Sequence, residues 1–523
     1  MKRLPSGLVA LTLVFVYAVS ARAGVYSGTL KSVDSNFGQI SVEFISRTQP
    51  KSFRLSRLTP VTLDGKKTKI AQLEPGLKVS VFTNKSGRVL RVIARTRSAS
   101  RPEPRPTQLA ATESSSPKPS NTKPGQESPG TSSAAWTGFR GHQRDNISKE
   151  QKLAQKWPRK GPPRLWSARL GEGYSTVSVA GGMVFTMGNY RKRELILAFD
   201  LQSGEPVWSA DTGGSAYKQG RGNGPRGTPT IDGDKVYALG ASGDLACVDL
   251  KTGNLLWSKN ILQEFDADNI SWGISESVLI DGDRLICTPG GQEASMVALD
   301  KRTGDVIWRA SVPDNPSAAY ASPIVVEVGG VRQYVNFTSS AVVGIRAGDG
   351  EFLWQNQSSA NETANCSTSL FDNGHVFSAS GYGTGGTLLK LTPNGKGIDA
   401  VEVYHTRDMK NQHGGMVIVD GYLYGSNDPG LLMCLELESG KVMWKSRSVG
   451  KGSIAYADGH LYLRSEEGPV ALVEATPEGY REKSRFEQTR RSDWPAWAHP
   501  VVADGKLFLR DMNVLQCYDL TRR

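Results

Sequence analysis

An eleven-residue phrase recurs along this 523-residue chain and restricts it to folds built from one repeated unit. It reads AFDLQSGEPVW from Ala198 to Trp208, CVDLKTGNLLW from Cys247 to Trp257 and ALDKRTGDVIW from Ala298 to Trp308. It returns as GIRAGDGEFLW from Gly344 to Trp354 and CLELESGKVMW from Cys434 to Trp444. The steps are 49, 51, 46 and 90 residues, the last of them two repeats long. A worn copy fills that gap at Leu389 to Val403, and two more follow at Val470 to Phe486 and from Leu515 onward. Each phrase is a strand, a Gly-centred turn that needs positive φ, and a second strand ending in Trp. Trp208, Trp257, Trp308, Trp354 and Trp444 are expected to be structural, filling the space between neighbouring sheets.

The residues between phrases repeat as well: an apolar strand, an Asp-Gly turn and another strand, as in TPTIDGDKVYALG and PVVADGKLFLR. Eight such halves start near Val177, Thr228, Ser277, Ser322, Ser367, Met416, Ser453 and Pro500. Four strands in about 48 residues is the arithmetic of a propeller blade. The eighth copy stops after three strands, at Tyr518 to Leu520, and Leu165 to Leu170 is expected to supply the fourth. That pairing would close the ring and remove the sheet edges that invite aggregation. The expected fold class is all-β, with an eight-bladed β-propeller over residues 136–523.

The rest of the chain divides by composition. Residues 1–23 carry Lys2 and Arg3, an apolar run from Leu8 to Val19 and Ala21-Arg22-Ala23, which reads as a signal peptide. A retained anchor fits less well, because the run falls short of the roughly 20 residues that span a bilayer. No later segment approaches that length, so the mature chain is expected to be exported and soluble in the periplasm or cell envelope. Residues 24–97 read as five or six short alternating strands with turn signals at Asp64-Gly65 and Ser86-Gly87, a small OB/SH3-like β-barrel. They hold 14 Lys and Arg against 4 Asp and Glu, whereas residues 136–523 sum to about −2. Residues 98–135 are rich in Pro, Ser and Thr and read as a disordered linker.

The five cysteines, Cys247, Cys287, Cys366, Cys434 and Cys517, stand far apart in an odd number, which excludes a disulfide framework and a metal cluster. The run Lys66-Lys67-Thr68-Lys69 reads as a solvated turn or as part of a patch for an anionic surface. Export, and the lack of aromatic residues among the charges, argue against nucleic acid.

The phrase A-x-D-x-x-[ST]-G-x-x-x-W resembles the tryptophan-docking repeat of pyrroloquinoline quinone (PQQ) propellers. That group includes quinoprotein alcohol dehydrogenases and the propeller subunit of the outer-membrane β-barrel assembly machinery. WTGFRGHQRDNIS, GPRGTPTIDGDKVYALG and NQHGGMVIVDGYLYG look like a bacterial group of PQQ-like propellers. The dehydrogenase branch implies PQQ, a Ca²⁺ held by oxygen ligands, a carboxylate base and often adjacent cysteines or a fused haem domain. This chain has neither a Cys-Cys pair nor a CxxCH motif. The expectation is therefore a non-catalytic binding or scaffold module without a metal site, with an envelope protein or polymer partner, acting as a monomer. The alternative is a PQQ-dependent alcohol or polyol dehydrogenase.

Residues just before the innermost strands of a propeller converge on one mouth of its channel. Here they are Arg226, Glu276, Ser322, Ser367, His413 and His499, with Arg221, Tyr320 and Asn411 nearby. Arg226 suits a carboxylate or quinone oxygen, Glu276 a cation or a base role, and the histidines proton transfer near neutral pH. The structural alternatives are that Arg226 and Glu276 pair with each other, that His413 is a strand-entry residue satisfying a backbone carbonyl, and that His499, beside Ala498 and Pro500, is structural.

Overall fold

The computed structural model describes residues 24–34, 39–43, 51–55, 59, 61–63, 66–83, 89–95, 135–395 and 397–521. The proposed signal peptide, residues 98–134 of the proposed linker and both N-terminal turn signals lie outside the described residues. The chain forms two compact units, Met1–Lys123 and Pro124–Arg523. Among the described residues, no helix is long and apolar enough to cross a membrane.

The first unit is a small sheet. Its strands are β1 (Gly24–Asp34), β2 (Gln39–Glu43), β3 (Lys51–Arg54), β4 (Val61–Leu63), β5 (Lys66–Lys67), β6 (Lys78–Thr83) and β7 (Val89–Arg95). They run in the order β3-β2-β1-β6-β7-β4-β5, with β4 and β7 parallel. Alternation puts Leu30, Ile40, Val42, Val79, Val81 and Val92 into one core. Lys66 and Lys67, expected on a turn, pair in β5 with Leu63 and Thr62.

In the second unit the described residues build eight four-stranded antiparallel sheets in a propeller-like arrangement. Numbered in chain order, these blades begin at Ser178–Ala180, Thr230–Asp232, Leu279–Asp281, Ile324–Val328, Leu370–Asp372, Met416–Val419, Gly452–Ala457 and Val501–Ala503. The last blade takes its fourth strand from β8 (Arg164–Arg169), which pairs antiparallel with Val514–Asp519. Every blade shares an apolar cluster with the next; Phe185 of blade 1, for example, packs with Ile231 and Val236 of blade 2. The series returns to its start, because Val501, Phe508 and Leu515 of blade 8 pack with Val179, Val184 and Phe199 of blade 1.

The repeated phrase explains how blades lock together. The indole N–H of three docking tryptophans donates to a backbone carbonyl of the following turn: Trp208 to Leu250 at 3.0 Å, Trp257 to Lys301 at 3.1 Å and Trp308 to Ala347 at 3.2 Å. The turn glycine of that phrase lies against the same ring, so a Cβ at Gly253 would stand 2.6 Å from Trp208 and one at Gly350 2.7 Å from Trp308. Positive φ and this close approach both require Gly there. Trp444 bonds Thr476 O at 2.8 Å, whereas Trp354 turns to Gln333 Oε1 of its own blade, because the next copy is worn. In that worn copy Tyr404 takes the tryptophan's place, donating to Leu437 O at 2.7 Å and packing against Gly440. Cys247, Cys434 and Cys517 sit buried at one register position, each opposite a tryptophan.

Trp308 is buried, and emptying its site leaves a cavity between blades 3 and 4. Trp308→Ala should cost about 3–5 kcal/mol in urea unfolding, and Trp308→Phe less, because it keeps most of the volume. Equal stability of the alanine variant would contradict the docking role.

Candidate functional site

The start of the second unit forms an arm that ties the blades together at their first strands. Trp136 pairs with Val179 of blade 1, and Ile231 N–H of blade 2 donates to Thr137 O at 2.7 Å. Arg144 donates to Ser277 O and Pro323 O, both at 2.9 Å, and to Val278 O. Arg140 donates to Met416 O at 2.6 Å and to Arg144 O at 3.0 Å, closing the arm on itself. Asn146 donates to Ile454 O, and the Glu150 carboxylate accepts from the N–H groups of Asp504 and Gly505. The two guanidinium groups are buried, and desolvation pushes both down to about 10. In the sequence this phrase is marked only by its family resemblance. Its signal was two arginines in a segment without strand alternation.

A belt of hydroxyl groups runs beside the arm. The N–H of Thr176 donates to Thr228 Oγ1 at 3.1 Å, that of Thr228 to Ser277 Oγ at 2.9 Å, and that of Ser277 to Ser322 Oγ at 2.9 Å. Ser322 N–H continues the belt to Thr368 Oγ1 at 3.4 Å, and Thr176 Oγ1 donates to His499 O at 2.7 Å. The hydroxyls of Thr228, Ser277, Ser322 and Thr368 each satisfy an N–H just before the first strand of the preceding blade, a group that would otherwise be buried unpaired.

Next to the belt lies a cavity of about 310 Å³. Tyr174 and Trp497 face each other with ring centres 4.8 Å apart, as do Trp272 and Tyr320 at 5.5 Å. Phe139, from the arm, packs on His499 at 5.1 Å. Of the residues expected at the channel mouth, Arg221, Arg226, Tyr320, His413 and His499 line this cavity. Arg226 donates to Gly224 O at 2.7 Å and Gly222 O at 3.0 Å, and its guanidinium stands 5.4 and 5.3 Å from the ring centres of Tyr174 and Tyr217. Burial raises the Tyr174 hydroxyl to about 12, so it stays protonated. Tyr174 and Trp497 stand at the same ladder position of their blades as Arg226, so register could have found them, whereas Trp272 and Tyr382 sit on connections outside that register.

Glu276, Ser322, Ser367 and Asn411 are buried and are not among the cavity-lining residues. Ser322 belongs to the hydroxyl belt; Ser367 Oγ donates to Asn411, whose amide donates to Gly415 O at 3.0 Å and Ser426 O at 2.8 Å. Glu276 accepts from Thr288 N–H at 3.1 Å and Asn336 Nδ2 at 3.2 Å, and Arg144 is the cation that acts on it. Arg226 instead bonds its own loop, so the expected Arg226 to Glu276 pair gives way to these separate arrangements. Desolvation pushes Glu276 up to about 7. The cavity lining holds no carboxylate, and among the described residues no three His, Cys, Asp or Glu side chains are placed to hold a metal. Ca²⁺ needs several oxygen ligands with carboxylates among them, so this donor set does not fit a quinone with its Ca²⁺.

His499 Nε2 donates to His413 O at 2.8 Å, while Asn146 Nδ2 lies 3.5 Å from its Nδ1. Desolvation, and then the Arg140 charge, push its pKa down from 6.5 to about 4. The neutral ring therefore contributes stability above pH 6.5 that is lost as pH falls toward 4. His499→Gln keeps a donor and removes this titration. In melting scans the deficit of the variant relative to wild type should shrink across that window, and a constant difference would contradict the burial.

The family model described as Outer membrane protein assembly factor BamB matches residues 159–277 and 269–446, more than half of the chain. The chain is 24% identical over 336 residues to the outer membrane protein assembly factor BamB of Moranella endobia, covering 60% of this chain and 70% of that one. It is 25% identical over 181 residues to the quinoprotein alcohol dehydrogenase PedH of Pseudomonas putida, a match covering 34% of this chain and 29% of that enzyme. Two solved structures share the fold. BamB from Moraxella catarrhalis has a TM-score of 0.50 and 13% identity, over 69% of this chain and 98% of that one. Quinohemoprotein alcohol dehydrogenase from Comamonas testosteroni has a TM-score of 0.53 and 12% identity, over 75% of this chain and 81% of that one. By repeat, fold and family match, the chain belongs to the PQQ-like β-propeller family described as outer membrane protein assembly factor BamB.

Proposed function

We propose that this chain is an exported eight-bladed propeller of the quinoprotein type that acts as a non-catalytic binding scaffold in the cell envelope. The observation that carries the reading is the division of labour around the cavity. Its lining offers aromatic rings and two arginines, which bind, while the carboxylate a dehydrogenase would use as base, Glu276, is buried among Thr288, Asn336 and the arm. A general base must reach the proton it abstracts, and Glu276 does not border the space a substrate would occupy. The BamB relatives are by name assembly factors for outer membrane proteins, which supports envelope proteins as partners here. Residues 24–97 would then act as a small basic barrel that holds the propeller at an anionic surface.

Tyr382 is exposed at the cavity mouth, where its hydroxyl accepts from Gln412 Nε2 at 2.7 Å. A photo-cross-linking residue at position 382 should capture envelope proteins, identified by mass spectrometry, and adding Arg221→Glu should suppress those adducts. The same probe at exposed Val401, on the fourth strand of blade 5, should give few adducts. Equal capture from both positions, or adducts insensitive to Arg221→Glu, would remove the mouth as the capture surface. Oxidation of an alcohol in a dye-linked assay, dependent on added PQQ and Ca²⁺, would instead support the quinoprotein dehydrogenase.

A further inference from the structure

We infer that the rim of blade 1 is a lipid-contact surface, which seats the propeller on an anionic bilayer through exposed tyrosine, lysine and arginine side chains. This goes beyond the scaffold reading, which leaves the orientation of the propeller open. Topology, exposure and charge each select this sector.

Connections in a four-stranded up-and-down blade alternate between two faces. The turn joining the second and third strands therefore shares a face with the links between blades. Among the described residues the large aromatic side chains that stand exposed are Tyr190, Tyr382 and Trp494. All of them are on that face: Tyr190 ends the second strand of blade 1, Tyr382 is in the corresponding turn of blade 5, and Trp494 is in the link from blade 7 to blade 8. The exposed aliphatic residues, Val207, Leu255 and Ile307 among them, lie instead on fourth strands. Tyr190 is 54% exposed, and the Arg191 guanidinium stands 5.4 Å from its ring centre. An apolar ring with a polar tip, set among cations on a protruding turn, is the combination that partitions into the headgroup layer of a membrane.

Charge on this face is segregated. The blade 1 turn and the link that follows the blade, residues 190–193 and 216–224, hold Arg191, Lys192, Arg193, Lys218 and Arg221, all exposed, and no Asp or Glu. Ala216 N–H donates to Lys192 O at 2.9 Å, so turn and link form one surface. The acids beside them are engaged, Asp211 with Arg193 at 3.3 Å and Glu172 with Asn223 Nδ2 at 3.0 Å. Further round the ring the same face reverses sign. Its connections at 261–278, 288–295, 311–323, 338–341 and 357–369 expose Glu264, Asp266, Asp268, Glu293, Asp314 and Glu362 and contain no Lys or Arg. An anionic surface attracts the first sector and repels the second. That tips the propeller onto the rim of blade 1 and leaves Tyr382, on blade 5, open to partners. A bilayer is the occupant that fits, because a flat anionic surface meets several protruding cations at once while its headgroups take up the Tyr190 ring.

The test is co-sedimentation of the mature chain with vesicles of phosphatidylcholine, with and without phosphatidylglycerol. The expected result is binding that needs phosphatidylglycerol and weakens as salt is added. Lys192→Glu with Lys218→Glu, at exposed positions that do not line the cavity, should weaken it about tenfold with the melting temperature unchanged. Lys251→Glu with Lys441→Glu makes the same change of charge at exposed turns of the opposite face and should leave binding unaltered. Tyr190→Ala should also weaken binding, whereas Tyr190→Trp should bind at least as tightly as wild type. No sedimentation of the wild type, equal loss from the two charge pairs, no loss from either, or full binding by Tyr190→Ala would overturn the inference. Capture of an acidic envelope protein that depends on Lys192 and Lys218, without lipid binding, would overturn it in favour of a protein partner. Any of these failures with mouth-dependent cross-linking at position 382 intact would leave the scaffold reading standing.

Discussion

Apolar packing between successive blades is the constraint on which the rest of the second unit depends. A sheet buried on both faces needs a neighbour on each side, so a linear stack of such sheets would leave its two end faces in water. The chain solves this by returning blade 8 to blade 1 and by lending β8 to the final blade. That strand lies at the start of the unit, so chain entry and chain end are held in one sheet. The arrangement also disposes of an exposed sheet edge, which natural β proteins otherwise have to protect.

The arm at 136–150 adds a second set of ties, and its physical character is different. It buries two guanidinium groups that meet carbonyl oxygens instead of carboxylates. Desolvating a charge is costly, and these bonds offset the cost by pairing the guanidinium donors with carbonyls at the starts of first strands. A hydrocarbon side chain at either position would take these donors away from the carbonyls of Met416, Ser277 and Pro323. The arm also supplies Phe139 to the cavity, so the element that joins the blades contributes to the candidate site as well.

Much of the blade architecture was legible because it is local. The Asp-Gly and Ser/Thr-Gly turns, the alternation within strands and the tryptophan spacing act within a few residues, and the observed strands follow them, β8 included. Position around the axis was legible only in part. Residues before the first strands do converge, yet whether a side chain enters the cavity or turns between blades depends on its ladder position, and the residues expected at the mouth mix three adjacent positions. Hence Arg226 and His413, at one ladder position of their blades, line the cavity, while Glu276 and Ser322, one and two positions further along theirs, sit in hydrogen-bond networks behind it. The arm was hidden for another reason: its partners are backbone carbonyls of strands hundreds of residues away, and carbonyls carry no sequence mark. Tyr404 in place of a tryptophan was similarly masked by the long hairpin that replaces the turn in its blade.

The second unit shares its fold with quinoproteins, and the residues that line its cavity do not fit a quinone held with Ca²⁺. Thermal unfolding of the mature chain with excess PQQ, in Ca²⁺ and in EDTA, tests this most directly, because a ligand that binds the folded state raises the melting temperature by mass action. The prediction is that any shift from PQQ is the same in both conditions and is unchanged by Glu276→Gln relative to that variant's own baseline. A shift that requires Ca²⁺ and disappears in Glu276→Gln would contradict the account and make the chain a quinone enzyme.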